Sequence, residues 1–129
     1  KLFPDSFIHF AATHRGATLY IDRAQIEQVL INLIKNAKES CGQNTAPQIE
    51  VELEQVPGKV CSLTVRDNGE GILPEVIDKV FVPFFTTKPS GSGIGLSLCK
   101  QIMNLHGGTI TVSSEIGKGS CFTLMFPGR

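Results

Sequence analysis

Asp67-Asn68-Gly69-Glu70-Gly71-Ile72, Phe81-Val82-Pro83-Phe84-Phe85-Thr86-Thr87-Lys88 and Gly91-Ser92-Gly93-Ile94-Gly95-Leu96 follow one another in the second half of the chain, and their order decides the fold. The first stretch opens on an acidic side chain at the end of an apolar strand and turns through two glycines. The last is a second glycine turn, and the segment between them carries a lysine. That is the outline of a purine pocket beside a phosphate site. Nine of the thirteen glycines lie between Gly69 and Gly119, so this half is where the backbone must bend or approach a ligand closely.

Working outward, the strand that delivers Asp67 is the second arm of a hairpin. Ile49, Val51 and Leu53 alternate with Glu50, Glu52 and Glu54, which predicts one buried face and one wet face. Pro57-Gly58 turns the chain into a second strand over 60–65. Upstream, Asp22 is placed to cap a helix over 23–41, in which Ile26, Val29, Leu30, Leu33, Ile34, Ala37 and Cys41 form an apolar stripe ended by Gly42. Two short strands at 6–12 and 17–21 flank an Arg15-Gly16 turn. Downstream, residues 74–80 read as a short helix with Pro74 near its first position, and Phe81 to Ser92 as a loop without period. A third helix starts at Gly93 or Gly95 and ends at Gly107-Gly108, and strands over 109–114 and 120–126 close the chain. Strands that arrive as hairpins give an α+β class: a two-layer sandwich with a mixed sheet of about five or six strands and three helices on one face.

The bulk properties limit the function. A chain of 129 residues has the size of one domain with one core. Twelve basic residues balance twelve acidic ones, which is poor support for a nucleic-acid partner. No apolar run reaches the roughly twenty residues needed to cross a bilayer, so the expectation is a soluble, cytoplasmic domain without membrane contact. Cys41, Cys61, Cys99 and Cys121 have no paired spacing and read as free, mostly buried thiols. The start at Lys1-Leu2-Phe3-Pro4 carries no initiator methionine, which fits an excised part of a longer protein.

Each chemical feature has a bland reading beside the functional one. Asp67 offers a strong acceptor to the exocyclic amine of a purine, and Gly69 and Gly71 let the backbone pass close to a flat ring; Asp-Asn-Gly also makes an ordinary turn. Gly91, Gly93 and Gly95 at a helix start present N–H groups to phosphate oxygens, although no Walker lysine follows and no strand leads straight in. Lys88 can meet terminal phosphate charge or simply face solvent. Asn32 and Asn36 lie one turn apart at the margin of the apolar stripe, and Asn36 offers a neutral oxygen suited to magnesium, whereas Lys35 between them projects to the solvated side.

In this order, these elements resemble the catalytic ATP-binding domain of sensor histidine kinases, within the superfamily of gyrase, heat-shock chaperone and mismatch-repair ATPases. Gln28 to Ala37 looks like the N box, Asp67 to Gly71 like the G1 box, Phe81 to Lys88 like the F box and Gly91 to Leu96 like the G2 box. Gly117 to Phe122 looks like the closing strand signature, and the match covers nearly the whole chain. The resemblance implies a Bergerat-type ATP-binding fold with ATP and Mg²⁺ as cofactors. It implies that Asn36 ligates magnesium and Asp67 binds the adenine amine, with Gly69, Gly71 and Ile72 beside the base. Thr87 and Lys88 on the lid, with Gly91, Gly93, Ile94, Gly95 and Leu96, would flank the triphosphate, and Asn32, Lys35 and Lys88 would act at the phosphates. Phe81, Phe84 and Phe85 would anchor the lid base as core aromatics, and His106 would serve as a cap.

The implied reaction is transfer of the ATP γ-phosphate to a histidine on a separate dimerisation and histidine phosphotransfer domain, with a response regulator receiver domain as the onward partner. His9, His14 and His106 lack the flanking residues of a phosphoacceptor, and membrane anchoring of the parent stays open. ATP-hydrolysing relatives carry a glutamate where this chain has Asn32, which cannot act as a base. A stand-alone serine kinase or ATPase of the same superfamily, and a non-catalytic nucleotide sensor, are the alternative readings.

Overall fold

The computed structural model describes residues 8–12, 22–42, 46–55, 61–85 and 95–127. They form β1 (Ile8–Ala12), α1 (Arg23–Ser40), β2 (Ile49–Gln55), β3 (Cys61–Asp67), α2 (Pro74–Ile77), α3 (Gly95–Leu105), β4 (Thr109–Glu115) and β5 (Gly119–Phe126). One sheet has the order β1-β2-β3-β5-β4; β1 and β2 run parallel and every other pair is antiparallel. The mixed α+β sandwich expected from the hairpin pattern is therefore present, with five strands among the described residues. β1 pairs with β2, and the strand expected at 17–21 lies outside the described residues. The second hairpin arm runs to Asp67 itself instead of stopping at 65. The helix expected over 74–80 is regular only to Ile77 and continues as turns.

Strand alternation decides which side chains meet. Across β2, β3, β5 and β4 the inner face stacks the rows Leu53–Leu63–Leu124–Ile110 and Val51–Val65–Phe122–Val112. The next row, Ile49–Asp67–Ser120–Ser114, belongs to the same face but is largely polar. An apolar wall thus turns polar at one end, and the site sits there. The outer face carries Glu52–Thr64–Thr123–Thr111 and Glu50–Arg66–Cys121–Ser113. Its Arg66–Glu50 pair, 3.7 Å apart and half exposed, adds little to stability.

Helices α1 and α3 cover the inner face. Ile26, Val29, Leu33, Ile34 and Ala37 from α1 and Cys99, Ile102 and Met103 from α3 join the sheet side chains in one core. The Asp22 carboxylate accepts from Gln25 N at 3.1 Å, satisfying an orphan donor of the first turn as an N-cap should. Three polar contacts set the antiparallel register of the two helices. Asp22 N donates to His106 Nε2 at 3.0 Å, the Cys99 thiol meets the Val29 carbonyl at 3.8 Å, and Asn32 Nδ2 donates to the Gly95 carbonyl at 3.4 Å. Because Nε2 of His106 accepts, its Nδ1 carries the hydrogen and donates to the Ile102 carbonyl at 2.8 Å. His106 therefore caps the end of α3 and ties it to the start of α1.

Phe122 is 2% exposed and stands edge-on to Phe81 with ring centroids 6.2 Å apart. Phe122→Ala should lower unfolding free energy by about 3–5 kcal/mol. Thr123→Ala, on the outer face, should stay within about 0.5 kcal/mol in the same denaturant titration.

Candidate functional site

Asp67 forms the floor of the site. It is only 5% exposed, at the end of a strand hydrogen-bonded on both sides, and its Oδ1 accepts from Gly69 N at 2.9 Å. A carboxylate taken from water needs such donors, since an uncompensated buried charge is costly. Beside it, the Ser114 hydroxyl accepts from Ile72 N at 2.7 Å and donates to the Gly119 carbonyl at 2.9 Å. Ser120 Oγ lies 3.0 Å from Ser114 Oγ and, with the Ser114 proton committed, is the donor of that pair. The two hydroxyls bind the turn after Asp67 to the β4–β5 hairpin.

That turn is held from three directions. Glu70 N donates to the Ser40 carbonyl at 3.2 Å, at the end of α1. Gly117 N donates to the Glu70 carbonyl at 3.0 Å, joining the β4–β5 turn. The Asn68 side chain accepts from Gln48 N at 2.8 Å and donates to the Ala46 carbonyl at 2.9 Å, with the Cys41 thiol 3.5 Å from its oxygen. Asn68 thus clamps the approach to β2 against the end of β3. The glycines are required by the protein's own packing: a Cβ at Gly69 would come 2.5 Å from the Ser40 carbonyl oxygen, and Gly71, at φ +82°, would place one 2.5 Å from that of Glu115. Approach to a ring is one reason to have glycine there; in this structure backbone packing is already sufficient.

Asn32 and Asn36 are both half-buried on α1 as their spacing predicts, with Lys35 exposed between them. Gln28 Nε2 donates to Asn32 Oδ1 at 3.0 Å, and Asn32 in turn reaches Gly95 at the start of α3. Leu96 is half-buried and packs against the core. Asp67, Gly69, Gly71 and Ile72 are thereby joined at the end of β3 and the turn after it, and Asn32 meets Gly95 where α1 and α3 come together, with Asn36 one helical turn further along α1 and Leu96 next to Gly95. Thr87, Lys88, Gly91, Gly93 and Ile94 lie outside the described residues.

The aromatics divide. Phe81 packs on Phe122 and has Lys100 Nζ 5.8 Å from its ring centroid, an exposed cation–π arrangement of modest worth. Phe84, in contrast, is 75% exposed and adopts φ 66°, so it is no core aromatic. The turns following α2 hold it outward, where nothing in the alternation of the sheet could place it inside.

The residues fit a nucleotide. A buried acceptor-only carboxylate suits a purine amine, and the Asn36 carboxamide suits a hard cation that keeps waters and shares phosphate oxygens. No three His, Cys, Asp or Glu side chains converge as a metal cluster among the described residues, so a cation here would depend on Asn36 and the nucleotide's own oxygens. Gln28, Asn68 and Ser120 fall inside the N box, the G1 box and the closing strand signature, but the sequence assigned none of them a contact, and Ser114 lies outside every motif.

The thiols also follow their surroundings. Burial pushes Cys99 up from the ordinary 9.0 to about 11, and burial, then the Asp67 charge, raises Cys41. Burial alone raises Cys61. At pH 8 a thiol reagent should therefore modify the part-exposed Cys121 in the folded chain and reach Cys41, Cys61 and Cys99 only on unfolding. The raised Cys99 value also has a sign for stability. Its contribution is complete below 9.0, where the unfolded thiol is still protonated, and declines as pH rises toward about 11.

Residues 21–129 match the family model described as histidine kinase-, DNA gyrase B-, and HSP90-like ATPase. The sensor histidine kinase ZraS of Escherichia coli (strain K12) is 38% identical over 120 residues, which are 93% of this chain and 25% of that protein. The chain therefore spans about a quarter of such a relative. The catalytic domain of histidine kinase ThkA superposes with TM-score 0.82 at 35% identity, covering 93% of this chain and 78% of that one. ThkA in complex with the response regulator protein TrrA gives TM-score 0.77 at 32% identity, over 95% of this chain and 34% of that one. Full-length ShkA in complex with AMPPNP gives 0.81 at 26% identity, over 93% and 25%.

Proposed function

The chain belongs to the family of histidine kinase-, DNA gyrase B- and HSP90-like ATPases, as a catalytic ATP-binding domain of the sensor histidine kinase kind, and from that premise we propose that it holds Mg²⁺-ATP for phosphoryl transfer to a histidine. The observation that carries the proposal is the largely polar row Ile49–Asp67–Ser120–Ser114 at one end of the sheet face that α1 and α3 cover. Asp67 accepts from the adenine amine, and the turn Gly69–Ile72, hydrogen-bonded to Ser40, Gly117 and Ser114, keeps the carboxylate in place. Asn36 holds the magnesium, whose role is to neutralise phosphate charge. Asn32, the exposed Lys35 and the lid residues Thr87 and Lys88, with Gly91, Gly93, Ile94, Gly95 and Leu96, attend the triphosphate.

In the overall exchange the bond between the γ-phosphorus and the β,γ-bridging oxygen breaks, ADP leaves, and a P–N bond forms to an imidazole nitrogen. Asn32 favours transfer over hydrolysis, because a carboxamide has no basic site to activate water and its oxygen already accepts from Gln28. The chain acts as one domain, and the acceptor histidine stands on a dimerisation and phosphotransfer domain of the parent protein. His106 is engaged at both ring nitrogens, Nε2 by Asp22 N at the start of α1 and Nδ1 by the Ile102 carbonyl of its own helix, which suits a structural part and not that of an acceptor. A response regulator is the onward recipient, in line with the ThkA complex with TrrA. No helix among the described residues is long and apolar enough to cross a membrane, and we place the domain in the cytoplasm whether or not the parent is anchored.

Calorimetric titration with a non-hydrolysable ATP analogue tests this reading. The chain should bind saturably and more tightly with Mg²⁺, and Asn36→Ala should abolish the magnesium dependence while retaining weak binding. A folded chain that binds no analogue would refute the proposal. Incubation with ATP alone should yield little ADP and little phosphorylated chain; rapid turnover would point to an ATPase instead.

A further inference from the structure

Resting on the nucleotide-site reading above, we infer that Gln28 is a positioning residue: it fixes the orientation of the Asn32 amide and thereby latches the glycine-rich start of α3 onto α1. A carboxamide has an acceptor end and a donor end, and which end faces a neighbour decides whether the contact attracts or repels. Gln28 Nε2 donates to Asn32 Oδ1 at 3.0 Å, which occupies the acceptor end and turns the Asn32 NH₂ toward α3. There it donates to the Gly95 carbonyl at 3.4 Å and lies beside the Cys99 sulfur. Rotating the amide by half a turn would set Asn32 Oδ1 against the Gly95 carbonyl oxygen, two acceptors facing each other.

Gly95 has no side chain of its own, so contact there must come from the facing helix; a Cβ at Gly95 would stop 4.0 Å from Asn32 Cγ. The latch therefore acts at the junction where the glycine cluster becomes regular helix. Gln28 is exposed, and as an i,i+4 surface pair its direct contribution to helix stability is small. Its effect is to choose the orientation of a residue that touches the site, so it should appear in ligand affinity more than in fold stability.

The probe is a non-hydrolysable ATP analogue with Mg²⁺, titrated into the chain and its variants, with thermal unfolding recorded for each. Gln28→Glu keeps the shape but offers only acceptors, so it should draw the Asn32 NH₂ away from Gly95 and weaken binding roughly fivefold at nearly unchanged unfolding temperature. Gln28→Ala leaves Asn32 able to keep its bond and should weaken binding less. Gln28→Lys restores a donor to Asn32 Oδ1 and should retain affinity. In an Asn32→Ala background, Gln28→Glu should have no further effect. A loss of the same size in that background would mean simple charge repulsion with the triphosphate and would overturn the latch, as would Gln28→Glu binding like the unsubstituted chain. Asp67→Ala separates the two levels: binding that needs Asp67 but ignores Gln28 overturns the latch alone. Absence of binding by the unsubstituted chain overturns the site reading and the latch together.

Discussion

Burial of one carboxylate is the constraint on which the rest of this structure depends. Asp67 is a charged side chain on the inward face of a central strand, in register with apolar Ile49 on one side and Ser120 on the other. A charge in that position persists only where donors replace the water it has lost. The chain supplies a backbone N–H from Gly69, and it must therefore turn immediately after β3. That turn brings Gly69 against Ser40 and Gly71 against Glu115, so neither can carry a side chain without moving its neighbours. The need to stabilise one carboxylate thus sets the path of the first glycine turn.

The second constraint is the seam between α1 and α3. Apolar packing holds two helices together but slides easily, whereas polar contacts at both ends and the middle fix a register. His106 clasps one end through Asp22 N, Cys99 meets Val29 midway, and Asn32 meets Gly95 at the end beside the site. These contacts set the Asn32 amide of α1 against the start of α3. The core fixes the layers, and the polar contacts fix where the layers stop relative to one another.

Much of this was legible in the sequence. The hairpin pattern put Asp67 at the end of an apolar strand where the first glycine turn begins, the Asp22 cap located the start of α1, and the helical stripe put Asn32 and Asn36 on a shared margin. What local pattern could not supply was partnership across the sheet. Ser114 and Ser120 are ordinary strand residues until the β4–β5 register brings their hydroxyls together beneath Ile72. Asn68 reads as a turn residue, but its amide bridges Ala46 and Gln48 some twenty residues upstream. Phe84 follows the aromatic pattern of its neighbours, yet a left-handed backbone turns it outward. Each of these depends on a contact distant in sequence or on a turn geometry that hydropathy does not encode.

The central claim is that Asp67 reads the exocyclic amine of a purine, and base selectivity measures it most directly. Guanine carries a carbonyl where adenine carries the amine, so a carboxylate there should repel it, while an amide could donate to it. Titration of the chain and of the isosteric Asp67→Asn with non-hydrolysable ATP and GTP analogues should show the adenine analogue preferred by at least about tenfold, roughly 1.4 kcal/mol, in the unsubstituted chain. In Asp67→Asn that preference should shrink or reverse. A preference unchanged by the substitution, in a variant that remains folded, would contradict the assignment of Asp67 and the account built on its burial.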